Sequence, residues 1–451
     1  MIRGVGATAL GPIVTTIIQL VSVPIFLHFW GVRLYGEWLL LSAMPTYLSL
    51  SDFGFATAAG TEMTMDVIAG RPAAAEEAFQ TAWLLTTGIS LAVALAVIPA
   101  LVFLPLNRWL NISVLSVGET AILLGILALY VLMGLQTAVT HSGLRCDGNY
   151  AAAVFWTSIW RLVEFGTATL IVVFHGKPIQ VAVGFLAART LGTLFLFVLL
   201  KTRSPWLHYG FRDASWACVR RLAIPSLALM AFPTGDALSL QGMILVIGSV
   251  LGPVPVVAFS TLRTLTRFIL QVIVTIKHTV WQELSAAFAT GNELLAKRLH
   301  RLACQAALWC SLLAAGGLAI AGPWIYSRWT RGTVAMDVGV FHCLLIVAIA
   351  NSLWTTSSAT MIASNMHQRV AALSLIANAA GVAAACALIP YTGLMGAAVP
   401  LLIVDISVGW YVITRALAMV HDRWVEFVPA MLQSPIAILS RRLQVSTNEG
   451  D

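Results

Sequence analysis

Charge is what this sequence has least of. Asp, Glu, Lys and Arg together make up 10% of its 451 residues, whereas soluble domains carry about 25%. A soluble fold of this length could not cover its surface with so few charges. Strand-like alternation of polarity is missing as well, which sets aside a barrel, the other closed structure that a bilayer admits. The six cysteines, Cys146, Cys218, Cys304, Cys310, Cys343 and Cys386, show neither CxxC nor Cys/His metal spacing. They fall in apolar stretches or inner loops and read as reduced, structural thiols. There is no HExxH, no Walker A loop, no GxSxG and no paired carboxylates at a membrane boundary, so no enzyme constellation and no cofactor site is visible. An ATP-driven pump would need a nucleotide domain, for which no stretch has room. Energy must come from an ion gradient or from the gradient of the substrate. No cleavable signal peptide is evident, because the first apolar run is long and leads directly into further ones.

Apolar residues are what the sequence has in excess: 59% are hydrophobic, with a mean hydropathy of +0.88. They come in blocks of about 20 to 30, the length that crosses hydrocarbon as a helix. Twelve spans are predicted, near 5–30, 37–65, 79–104, 117–140, 150–174, 179–200, 222–250, 254–285, 301–325, 338–364, 370–390 and 395–419. The fold class is therefore an all-α integral membrane protein, divided into an N-terminal six-helix bundle (1–200), a connecting loop (201–221), a C-terminal six-helix bundle (222–420) and a tail (421–451). The net charge of +7 does not point to nucleic acid, because the cations sit in short loops beside apolar spans. Of the 26 Lys and Arg, five fall in loops on one side (Arg33, Arg108, Lys177, Arg328 and Arg331) and five inside spans. The remaining sixteen lie on the other side, which the positive-inside rule makes cytoplasmic. Both termini, the connecting loop and the tail are expected there.

An offset of 221 residues relates the two halves. It carries Gly31, at the turn FLHFWGVRLYGEW, onto Gly252, at the turn VIGSVLGPVPVVAF, and Pro12 onto Pro233. Six spans per half is an even number, so the repeats would be parallel, about an axis along the membrane normal. Transporters built this way bind their substrates at midplane between the halves, which predicts a central cavity.

The segment GVRLYGEWLLLSAMPTYLSLSDFGFA (31–56) resembles the first-hairpin signature of Wzx-type polysaccharide flippases. The segment ILVIGSVLGPVPVVAFSTLRTLTR (244–267) resembles the corresponding signature of the seventh and eighth spans. These flippases belong to the superfamily of multidrug, oligosaccharidyl-lipid and polysaccharide exporters. The span count and parallel repeat match over essentially the whole chain. One departure is that Val256-Val257 stand at the repeat offset from Tyr35-Gly36. The resemblance implies transfer of undecaprenyl-diphosphate-linked oligosaccharide units to the outer leaflet of a bacterial inner membrane, for surface polysaccharide synthesis. The partners it implies are that lipid-linked oligosaccharide, the lipid bilayer, a polysaccharide polymerase and a chain-length regulator.

Charges inside the spans are the candidate site. Arg263, Arg267 and Lys277 lie at offsets of 4 and 14 and share one face of the eighth span. A charge in hydrocarbon is costly, so such a face looks inward, and the planar fork of arginine suits phosphate. Lys277 also lies close enough to the inner boundary to snorkel. Arg161, three residues from Glu164, reads either as a pair with that acid or as part of the site. Arg189 has no local partner and reads as lumen lining or as a packed contact between helices. The acids Asp52, Glu164, Asp236 and Asp405 balance the four arginines in number. Asp236, just after Pro233, is the first candidate for ion coupling and Asp52, close to Gly54, the second; structural roles for both stay open. Two further readings compete with the flippase. An ion-coupled exporter of cationic drugs is disfavoured by the four arginines. A membrane polymerase or ligase is disfavoured by the short outer loops.

Overall fold

The computed structural model describes residues 2–364, 366 and 368–433; the rest of the expected tail, 434–451, lies outside the described residues. Every regular element among them is helical. The first, α1 (Ile2–Thr46), contains one non-helical residue, Gly31, at φ 72° and ψ 173°. That region of the backbone map belongs essentially to glycine. The ring centroids of Phe26 and Trp38 are 6.3 Å apart across it, where twelve residues of straight helix would separate them by about 18 Å. So α1 is a hairpin of two helices. A 3-10 turn (Tyr47–Leu50) and the left-handed residues Phe53 (φ 48°) and Gly54 (φ 76°) follow before α2 (Phe55–Ile68). The second predicted span is thus broken rather than continuous. Pro45, which has no N–H to donate, stands where the α-helical ladder gives out.

Next come α3 (Pro72–Phe103), the short α4 (Leu106–Trp109), α5 (Val117–Cys146), α6 (Tyr150–Val173) and α7 (Pro178–Arg203). The seventh span is α8 (Trp216–Ala237) and α9 (Met243–Leu251), joined by five residues of π-helix, Leu238–Gly242. Then follow α10 (Pro253–Ala289), α11 (Glu293–Trp329), α12 (Val338–Ala363), α13 (Gln368–Thr392), α14 (Met395–Met419) and the short α15 (Trp424–Leu432). Among the described residues, ten stretches are long and apolar enough to cross a membrane. Counting the α1 hairpin as two passes, and adding α6 with Arg161 and Glu164 in its middle, gives the twelve expected segments. The 221-residue offset is expressed in the backbone: Gly252 adopts φ 89°, ψ −176°, nearly the conformation of Gly31.

The chain forms two compact units, one of Met1–Val257 with Trp329–Val334, the other of Ala258–Arg328 with Ala335–Asp451. In the first, α5 packs on α7 and α3, α6 on α1 and α7, and α2 on α3 and α5. Its core gathers Met63, Phe79, Leu144, Leu200 and Cys218. The predicted loop 201–221 is a strap on this unit. Leu207 is buried in the core, and Asp147 accepts hydrogen bonds from Ser204 Oγ (2.7 Å) and Trp206 Nε1 (3.2 Å). Because α8 packs on α2 and α3 and α9 on α1, both belong to the first unit, although the sequence groups them with the second bundle. In the second unit α14 packs on α12 and α13. Its end carries α15, whose Phe427 and Met431 join Cys304, Leu308 and Leu417. All six cysteines are free thiols.

Candidate functional site

Within the first unit a half-buried polar group, centred on the buried Glu164, links α5, α6 and α7. Arg189 Nε lies 2.7 Å from Glu164 Oε1, and Nη2 donates to Oε2 at 2.9 Å. The Tyr130 hydroxyl donates to the same Oε2 at 2.9 Å and accepts from Arg189 Nη2. The guanidinium also sits 4.4 Å from the Tyr130 ring centre, a cation–π distance. Gly134 makes room for it: a Cβ there would stand 3.4 Å from Arg189 Nη1. The acid that the sequence offers to Arg161 is therefore taken by Arg189, on the adjacent helix α7. Arg161 is exposed and reaches Thr15 Oγ1 at 3.4 Å. Of the two readings of Arg189, the structure supports the packed contact between helices. Tyr130 gave no signal in the sequence, since a lone tyrosine in an apolar span is ordinary.

Asp52 lies in the break of the second span. It is buried, and its Oδ1 accepts the Gly54 amide at 3.1 Å, which orders the entry into α2. Asp236 is exposed, one residue before the end of α8 and next to the π-helical turn. The Tyr47 hydroxyl, from the break in the second span, donates to the carbonyl of Ala237 at 3.4 Å. Two irregularities, one in each predicted span, thus meet beside Asp236. π-Helical turns recur at functional sites, and only Pro233 hinted at this one.

In the second unit the three cations of α10 fall at different depths. From Pro253, the helical rise puts Arg263 about 15 Å, Arg267 about 21 Å and Lys277 about 36 Å along the axis. A hydrocarbon core is roughly 30 Å thick, so Arg263 and Arg267 are at mid-depth and Lys277 is at the far boundary. Arg263 is half-buried, with its guanidinium carbon 5.9 Å from the Phe259 ring, and Arg267 is exposed. An acid of this unit's spans is Asp405 of α14. Asp405 is buried, and its Oδ1 accepts from Asn351 Nδ2 and Trp354 Nε1 of α12, both at 2.7 Å. Sequence reasoning passed over Asn351 and Trp354. The available signal was the polar run NSLWTTSSAT in an otherwise apolar span, of which Ser352, Thr356, Ser357, Ser358 and Thr360 are buried. Arg161, Arg189 and Asp52 thus belong to one unit, and Arg263, Arg267 and Lys277 to the other.

No protein-family model matches the chain, and no curated protein matches its sequence. Solved structures match its fold. A multidrug resistance MATE family transporter of the MOP superfamily, in an inward-facing conformation, superposes with a TM-score of 0.72 at 13% identity, covering 90% of this chain and 98% of that one. An outward-facing structure with the same description gives 0.67 at 14% identity, covering 93% and 95%. A MATE in complex with MaD3S gives 0.63 at 14%, covering 93% and 96%. The chain has a MATE-like fold along nearly its whole length, and the structures it resembles are transporters rather than enzymes.

Proposed function

We propose that this protein is a secondary transporter of the MOP superfamily type. The observation that carries this is the MATE-like fold, which takes in 90% of the chain and 98% of the inward-facing transporter it resembles. Among cargoes, the comparisons favour drug-like small molecules, since the solved transporters are described as multidrug resistance proteins; an ion gradient is the proposed driving force. The first unit supports this reading. Arg189 is neutralised by Glu164, so one of the four arginines that weighed against a cationic cargo no longer does. Asp236 and Asp52 are the proposed coupling acids. A second reading, transfer of a lipid-linked oligosaccharide, rests on Arg263 and Arg267. Four residues apart on one face of α10, they hold two charges about 6 Å apart along the axis, close to the reach of a diphosphate. In that reading Arg161, Arg189 and Lys277 would be auxiliary contacts. The polymerase and chain-length regulator would be its partners, and a bacterial inner membrane its location.

Proteoliposomes with an imposed proton or sodium gradient test both readings. Gradient-driven efflux of a cationic dye, weakened in Asp236→Asn and unchanged in Arg263→Ala/Arg267→Ala, is the expected result. No dye efflux, together with transfer of undecaprenyl-diphosphate sugars that the double variant abolishes, would establish the second reading instead. Inactivity in both assays would remove the transporter proposal.

A further inference from the structure

Where the second span breaks, the first unit has a crevice. Pro45 and Leu48, on either side of the start of the 3-10 turn, face Ala100 and Leu101 of α3 and Leu124 and Ala128 of α5 across a space of about 220 Å3. Every side chain lining it is apolar. Both α3 and α5 are among the stretches apolar enough to cross a membrane, and acyl chains are the apolar groups that such helices meet. An apolar cavity of roughly 150 Å3 already takes a benzene ring and excludes water. Left empty, the crevice would forfeit the contacts of all its lining atoms. At its end, Leu106 of α4 is buried, while Arg108 and Trp109, two and three residues on, are exposed. An arginine and a tryptophan two and three residues from the lining Leu106 suit a lipid phosphate and the interfacial region beneath it.

We propose that this crevice is a phospholipid site. One acyl chain of a bilayer phospholipid lies between Pro45, Ala100 and Ala128, with its phosphate beside Arg108. The chain supplies the packing that the interrupted helix gives up, and so props the break that ends in Asp52 and Gly54. The site is separate from the charged groups above, and its occupant is a bilayer lipid whichever cargo the protein carries.

The test is photolabelling in nanodiscs with an anionic phospholipid bearing a diazirine in mid-chain, the labelled peptides being located by mass spectrometry. Residues 44–48 and 97–104 should label well above 191–198, a lipid-facing stretch of α7 in which Leu191, Leu194 and Val198 are exposed. Ala100→Trp fills the slot and should remove the excess labelling. Arg108→Gln leaves the packing alone and should weaken it about fivefold, the worth of one surface cation toward anionic lipid. Equal labelling of the two regions, or full labelling in both variants, would overturn the site. Displacement of the phospholipid by a polyprenyl phosphate bearing the same diazirine would overturn the assignment to a bilayer lipid, and make the slot a seat for a cargo tail.

Discussion

Tyr130 brings one hydroxyl against both Glu164 and Arg189, so each member of the group depends on the other two. Removing one charge of a buried pair leaves the other uncompensated, at a cost of about 3 kcal/mol or more. Glu164→Gln and Arg189→Gln should each lower the melting temperature in detergent clearly. The double variant, with neither charge left, should melt closer to wild type than the sum of the two losses. A purely additive double variant would show that the residues do not act as a pair. The charged residues of this unit were legible in the sequence, and their pairing was not. A spacing of three on one helix made Arg161 the visible partner of Glu164, because sequence distance shows only neighbours on the same helix. The true partner is 25 residues on, brought close by the packing of α6 on α7. Lys277 went the other way. Its position along a long helix already gave the depth that separates it from Arg263 and Arg267.

At the scale of elements, long apolar helices were readable almost to their ends, since length and hydropathy specify a span directly. Interruptions were not. The 3-10 turn after Pro45 (YLSL) and the π-helical turn after Pro233 (LSLQG) are only four and five residues long, too short to interrupt the apolar run around them. The strap at 201–221 and the helix α15 were likewise invisible, because polar anchors rather than periodicity define them. α15 is tied to α11 by Lys297 and Arg301, which reach Asp422 at 3.2 and 2.5 Å and Glu426 at 2.9 and 2.7 Å. Burial pushes the Asp422 carboxyl up, but Arg301, the Arg423 amide and Lys297 together outweigh burial and hold it below its ordinary value. A depressed carboxyl stabilises the docked state above its unfolded pKa of about 3.9 and loses that effect as pH falls through the folded value. Amide exchange in Trp424–Leu432, corrected for the intrinsic rate, should therefore show constant protection from neutral pH down to about 4 and lose it at more acidic pH. Loss of protection already near pH 6 would mean that these ion pairs do not hold α15.

For the whole molecule, the twelve helical segments among the described residues were legible from apolar run lengths, and the 221-residue repeat was legible in its two turn glycines. How the chain partitions into compact units was not, since it depends on which faces α8 and α9 present to their neighbours. Orientation follows from loop cations and has a direct check. In a cysteine-free background, Arg212→Cys on the strap should resist an impermeant thiol reagent added outside whole cells, and Arg331→Cys, in the exposed turn after α11, should react. The reverse pattern would invert the protein. Gly31 and Gly252 bear finally on how such a chain can change over generations. Any replacement at either places a β-carbon where the backbone tolerates none, whatever the function of the molecule. Gly36 is guarded differently, by the carbonyl of Pro253, which a β-carbon would approach to 2.3 Å. If the halves descend from one ancestral half, purifying selection on backbone shape alone would keep the two turn glycines in register while residues specific to the cargo drifted apart around them.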